Sequence, residues 1–134
     1  MSEVMILDNK NATMKYYPES KILHHEMHQF FFGQEFRDVM NKGVEVFKQY
    51  GANKWLSDDR KVSAWSQEDL EWGDKDWFPR VQMSGWKYWA IIMPEQAIGQ
   101  ITMKKMVERY TTRGVQTRIF ASPEEGKKWL ENCP

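Results

Sequence analysis

Three stretches of helical periodicity in this chain each end at a glycine, and a short strand-like run follows within three residues. In the first, Phe36, Val39, Met40, Gly43, Phe47 and Tyr50 recur at helical spacing; Gly51 then offers a left-handed cap, and residues 54–57 read as a strand. The second opens at Ser66-Gln67-Glu68-Asp69, where the Ser66 hydroxyl can cap free backbone amides. It carries Leu70, Trp77 and Val81 and closes at Gly85, ahead of the apolar run 88–93. Pro79 lies inside it and predicts a break or kink, since proline has no N–H to give to Lys75. Met103, Met106, Val107 and Tyr110 mark the third, ending at Gly114 before a strand over 115–121 and a short helix over 123–132. Helices that alternate with short apolar strands in this way build βα units on a largely parallel sheet.

The first thirty residues have a different rhythm. Residues 4–7 form a short apolar run, and strands over 12–17 and 21–29 flank the turn sequence Pro18-Glu19-Ser20, which predicts an antiparallel hairpin. The fold expected is therefore α/β: a mixed, mostly parallel sheet with an N-terminal antiparallel hairpin and about four helices, in a single domain over residues 1–134. No linker, repeat or low-complexity tract divides it.

Charge narrows the partners. Lysine and arginine number 19, as do aspartate and glutamate, so the basic excess of a nucleic-acid binder is missing. No run approaches the ~20 apolar residues that span a bilayer, and the first eight residues lack the basic start of a signal peptide. The lone Cys133 has no internal partner for a disulfide. A soluble, cytoplasmic protein is expected, with neither nucleic acid nor membrane as its partner.

Several stretches carry a family resemblance. Lys54-Trp55-Leu56-Ser57-Asp58, Asp69-Leu70-Glu71-Trp72, Trp77-Phe78-Pro79-Arg80 and Met93-Pro94-Glu95, with the order of elements, resemble a bacterial group of STAS-like domains related to anti-sigma-factor antagonists. The resemblance spans roughly residues 12–132 and implies a small regulatory module. The antagonists carry a phosphorylated hydroxyl in an Asp-Ser-Ser/Thr-Gly type motif. Here that region reads Asp58-Asp59-Arg60-Lys61-Val62-Ser63, so no phosphoacceptor carries over.

Catalytic patterns are lacking. There is no Gly-x-Ser-x-Gly elbow, no phosphate loop and no histidine near Cys133 in sequence, so no enzyme and no cofactor are expected. His24, Glu26 and His28 alternate on a predicted strand and share a face, but a closed zinc site needs four ligands, so a polar sheet face is expected rather than a structural metal. Asp58 and Asp59 follow a predicted parallel strand, where ligands commonly bind, yet the lysine of a phosphoaspartate receiver is missing.

Trp55, Trp77, Trp89 and Trp129 fall on core positions, whereas Trp72 lies about 200° around its helix from Leu70. Extending the helix backwards puts Trp65 close to the Trp72 line, with Asp69 and Asp76 flanking it. That predicts an aromatic stripe rimmed by carboxylates, as in interface cores and rims. Residues 66–76 also carry five acids against Lys75, while residues 101–114 carry four bases against Glu108, a segregation that can attract a partner or a second copy. The leading expectation is a non-enzymatic regulatory or scaffolding module that contacts a protein partner or forms a homodimer through Trp65, Asp69, Trp72 and Asp76. The alternative is a binding protein for a small apolar or anionic ligand, in a crevice lined by Asp58, Trp65, Trp86, Met93 and Ile98.

Overall fold

A computed structural model describes residues 2–134. The chain forms β1 (Val4–Asp8), β2 (Ala12–Tyr17), β3 (Ile22–Met27), α1 (Gln34–Tyr50), β4 (Lys54–Asp58), α2 (Gln67–Trp72), a π-helical turn (Gly73–Trp77), α3 (Phe78–Met83), β5 (Tyr88–Ile92), α4 (Ala97–Thr112), β6 (Gln116–Phe120) and α5 (Pro123–Glu131). The strands join one six-stranded sheet in the order β1-β2-β3-β4-β5-β6. The first three pair antiparallel and β3 to β6 pair parallel. The expected architecture is therefore present.

Side-chain alternation explains the layering. On one face Met14, Tyr16, Leu23, Trp55, Trp89 and Ile91 pack into the larger core. Phe36 and Phe47 of α1, Phe78 and Val81 of α3, and Met103 and Tyr110 of α4 join them. Every parallel crossover steps one strand further in the same direction, so right-handed connections leave all their helices on this one face. The opposite face carries Ile22, Leu56, Tyr88, Ala90 and Ile92, covered by Leu130 of α5. No helix is long and apolar enough to cross a membrane among the described residues.

The helix caps follow the sequence. Gly51 adopts φ 71° and its N–H donates to the Phe47 carbonyl, and the Ser66 hydroxyl accepts from the Asp69 N–H at 3.1 Å. The break expected at Pro79 takes a different form. Residues 67–83 stay helical, but the five residues just before Phe78 wind as a π turn, with the Phe78 N–H donating to the Gly73 carbonyl. Pro79 then sits in the first turn of α3, directly after the π turn.

Candidate functional site

The sheet face under the crossover helices carries polar groups that a plain core would not. Leu23, His25 and Met27 of β3 all point to it, and His25 is only 3% exposed. One strand over, Trp55 and Ser57 share that face, and Asp59 continues the alternation just past the end of β4. The Asp59 backbone is pinned there, donating to the Ile92 carbonyl and accepting from the Val62 N–H.

The polar groups form two closed arrangements. The Trp55 indole Nε1 donates to His25 Nδ1 at 2.8 Å, and His25 Nε2 lies 2.8 Å from Asp59 Oδ1. An indole N–H can only donate, so Nδ1 must be the unprotonated nitrogen and Nε2 must carry the proton given to Asp59. Both imidazole nitrogens are thereby engaged. The Asp59 carboxylate remains, 3% exposed, with its one side-chain hydrogen bond among the described residues taken from a neutral ring. Alongside, the Trp89 Nε1 donates to Ser57 Oγ at 2.8 Å.

These groups border a cavity of about 70 Å³ between the sheet and the helices. A single water needs about 10–15 Å³ on the same measure, so the space takes several. Its far walls come from Met40 of α1, from Trp72, Gly73 and Trp77 around the π turn, and from Met103 and Tyr110 of α4. Indole rings pack against one another in its wall, with Trp55 5.5 Å from Trp77 and 5.7 Å from Trp86 between centroids. π turns recur at functional sites, and this one forms part of a cavity wall.

The structure redistributes the residues expected at an interface. Trp65, Asp69 and Trp72 all border the cavity, and Trp72 is half-buried, with the Arg37 and Arg80 guanidinium groups 5.3 and 6.0 Å from its ring. Asp69 is 1% exposed and ties three segments together, accepting from the Gly33 N–H at 2.9 Å and from Arg37 at 3.3 Å. Of the four, Asp76 alone is exposed, and it pairs with Arg80 at 2.9 Å. The outward stripe fails because α2 is only six residues long and Leu70, Trp72 and Gly73 all reach the cavity. A uniform 100° step per residue assigns Leu70 and Trp72 to opposite sides. The segregated charges are also used within the molecule: Asp74 meets Arg113 at 2.7 Å and Arg109 at 3.5 Å.

The residues expected to line the alternative crevice fall in different places. Trp65 and Trp86 line the cavity. Met93 packs on the core nearby, whereas Ile98 is 69% exposed. Asp58 alternates to the opposite face of the sheet. Burial pushes its carboxyl up, but two hydrogen bonds from Arg60, at 2.9 and 2.7 Å, outweigh that and hold it below its ordinary range. Of the adjacent acids Asp58 and Asp59 it is Asp59 that borders the cavity, and the imidazole there is His25 rather than His24 or His28. The signal for both was parity: a histidine between Leu23 and Met27 on the apolar register of β3 must find a buried partner.

His24 and His28 turn to the other side, within hydrogen-bond distance of Tyr17 and Thr13. Among the described residues, no group of three or more His, Cys, Asp or Glu side chains is placed to hold a metal ion. Loss of water around the His24 ring pushes the His24 pKa down from 6.5 to about 4. A depressed imidazole takes its proton more readily in the unfolded chain, so its contribution is whole above pH 6.5 and is lost as pH falls toward 4. The expected loss is on the order of 2 kcal/mol. Urea titrations at neutral and mildly acid pH should show a smaller loss in His24→Gln than in the wild type. Equal losses would contradict this account.

No family model, curated protein or solved structure matches this chain.

Proposed function

We propose that the protein is a non-catalytic module that binds a small, largely apolar molecule in the tryptophan-lined cavity. The observation that carries this reading is the cavity itself, where aromatic and methionine walls surround the Trp55–His25–Asp59 chain. Binding sites combine apolar walls with a few placed polar groups in just this way. Rings held by hydrogen bonds on one side and by one another on the other keep such a space open without the ligand. Methionines at 40, 103 and 106 supply adaptable surface. A panel of small metabolites screened by melting temperature and by tryptophan emission tests the proposal. A binder should raise the first and alter the second, because indoles line the site. Trp72→Ala should weaken that response without changing the oligomeric state. A panel that moves neither signal would count against the reading.

A second reading keeps the protein as a regulatory contact module, a homodimer or the partner of another protein in the cytoplasm. Its support lies in Phe30 and Phe32, 42% and 61% exposed, whose rings stack 5.7 Å apart in the loop between β3 and α1. Stacked exposed aromatics suit an interface. The STAS-type resemblance belongs with this reading. Mass measured by light scattering across a dilution series, with Phe32→Ser as the comparison, separates it from the first.

A further inference from the structure

We infer that the cavity selects a small organic cation, a primary or methylated ammonium head group, in preference to an anion or a neutral molecule of the same shape. The inference rests on the reading of the cavity as a ligand site and adds the charge of its occupant.

The charges at the wall are unevenly matched. Asp69 is countered by Arg37, and the half-exposed Arg109 is both solvated and turned toward Asp74. Among the described residues, Asp59 has no such counterion. Its single side-chain partner is His25, and the Trp55 N–H occupies the nitrogen that an imidazolium would need to protonate. A proton on Nδ1 would set two donors 2.8 Å apart, so the indole keeps the ring neutral and the Asp59 charge uncompensated. A buried carboxylate with a neutral partner is costly, and a cation brought beside it removes the deficit.

The rest of the lining points the same way. Trp65, Trp72, Trp77, Trp86 and Tyr110 present aromatic rings to the space. The face of an aromatic ring is negative, and it attracts an ammonium most strongly when both are out of water. An anion would meet that same field and the Asp59 charge together. A neutral apolar guest would fill the volume but leave the carboxylate unpaired. The 70 Å³ available suits a compact head group rather than an extended chain.

Three probes of nearly equal shape isolate the charge: tert-butylammonium, tert-butanol and pivalate, each titrated near pH 7 against the whole protein and followed by tryptophan emission and calorimetry. The expected result is that tert-butylammonium binds at least about tenfold more tightly than tert-butanol, with pivalate weakest. Asp59→Asn should remove that preference while keeping the fold, because the amide oxygen still accepts from His25 Nε2–H. If that variant does not fold, the wild-type ranking alone decides. Equal or tighter binding of tert-butanol or pivalate overturns the inference and leaves the cavity a ligand site. Silence from all three overturns the inference as well, and the metabolite panel then judges the site itself.

Discussion

Trp55→Phe is expected to lower stability by roughly 2–4 kcal/mol, measured as a shift in urea midpoint at unchanged slope. Two losses combine. The phenyl ring is smaller than the indole and leaves a void among Phe47, Trp77 and Trp86, all within 5.7 Å of Trp55 by ring centroid. It also has no N–H, so His25 Nδ1 is left buried without its donor, a deficit of about 1–3 kcal/mol by itself. Trp86→Phe is the comparison, because the Trp86 Nε1 donates to the Tyr88 backbone carbonyl and no side chain depends on it. If Trp55→Phe costs no more than Trp86→Phe, the indole–imidazole bond contributes little and the tautomer argument weakens with it.

Gly43→Ala is expected to destabilise by roughly 1–3 kcal/mol, although alanine is the better helix former by about 1 kcal/mol. Gly43 sits inside α1 where the helix crosses the Trp55 ring, and a methyl there would lie 2.9 Å from Cζ2 and overlap the ring edge. The ring cannot swing aside, because Trp77 and Trp86 hold its other surfaces. Gly73→Ala should have the opposite sign and stabilise by about 0.5–1 kcal/mol. Gly73 has helical φ and ψ of −59° and −41°, and an added methyl meets nothing within 4 Å. Thermal or urea melts of the two variants beside the wild type read both signs. Stabilisation by Gly43→Ala would show that the indole has freedom to move.

Much of the fold was legible before any coordinates. Gly51, Ser66 and the apolar run of β5 are local signals: a left-handed φ, a hydroxyl one turn from a free amide, and a strand buried on both faces. Each depends on residues close in sequence, so each could be read there. The charge segregation was legible too, but its use was not. Asp74 and Arg113 are far apart in the chain, and only the packing of the π turn against α4 brings them to 2.7 Å. Part of the expected charge complementarity is thus met within one molecule.

The site divides along the same line. Sequence by itself determined which side chains share a face, because alternation along β3 and β4 is a local property of extended backbone. Leu23, His25 and Met27 belong together on that ground, as do Trp55, Ser57 and Asp59, while Asp58 faces away. Only the tertiary structure decided that the two sets lie on neighbouring parallel strands with His25 opposite Ser57, so that an indole, an imidazole and a carboxylate connect. It also decided the fate of Trp72. A helical wheel gives an angle about an axis but not what covers the axis, and the π turn before Pro79 winds five residues where a regular helix would wind fewer. Register between strands and the pitch of a turn are set by long-range packing, which is why the cavity and its charge had to be seen rather than read.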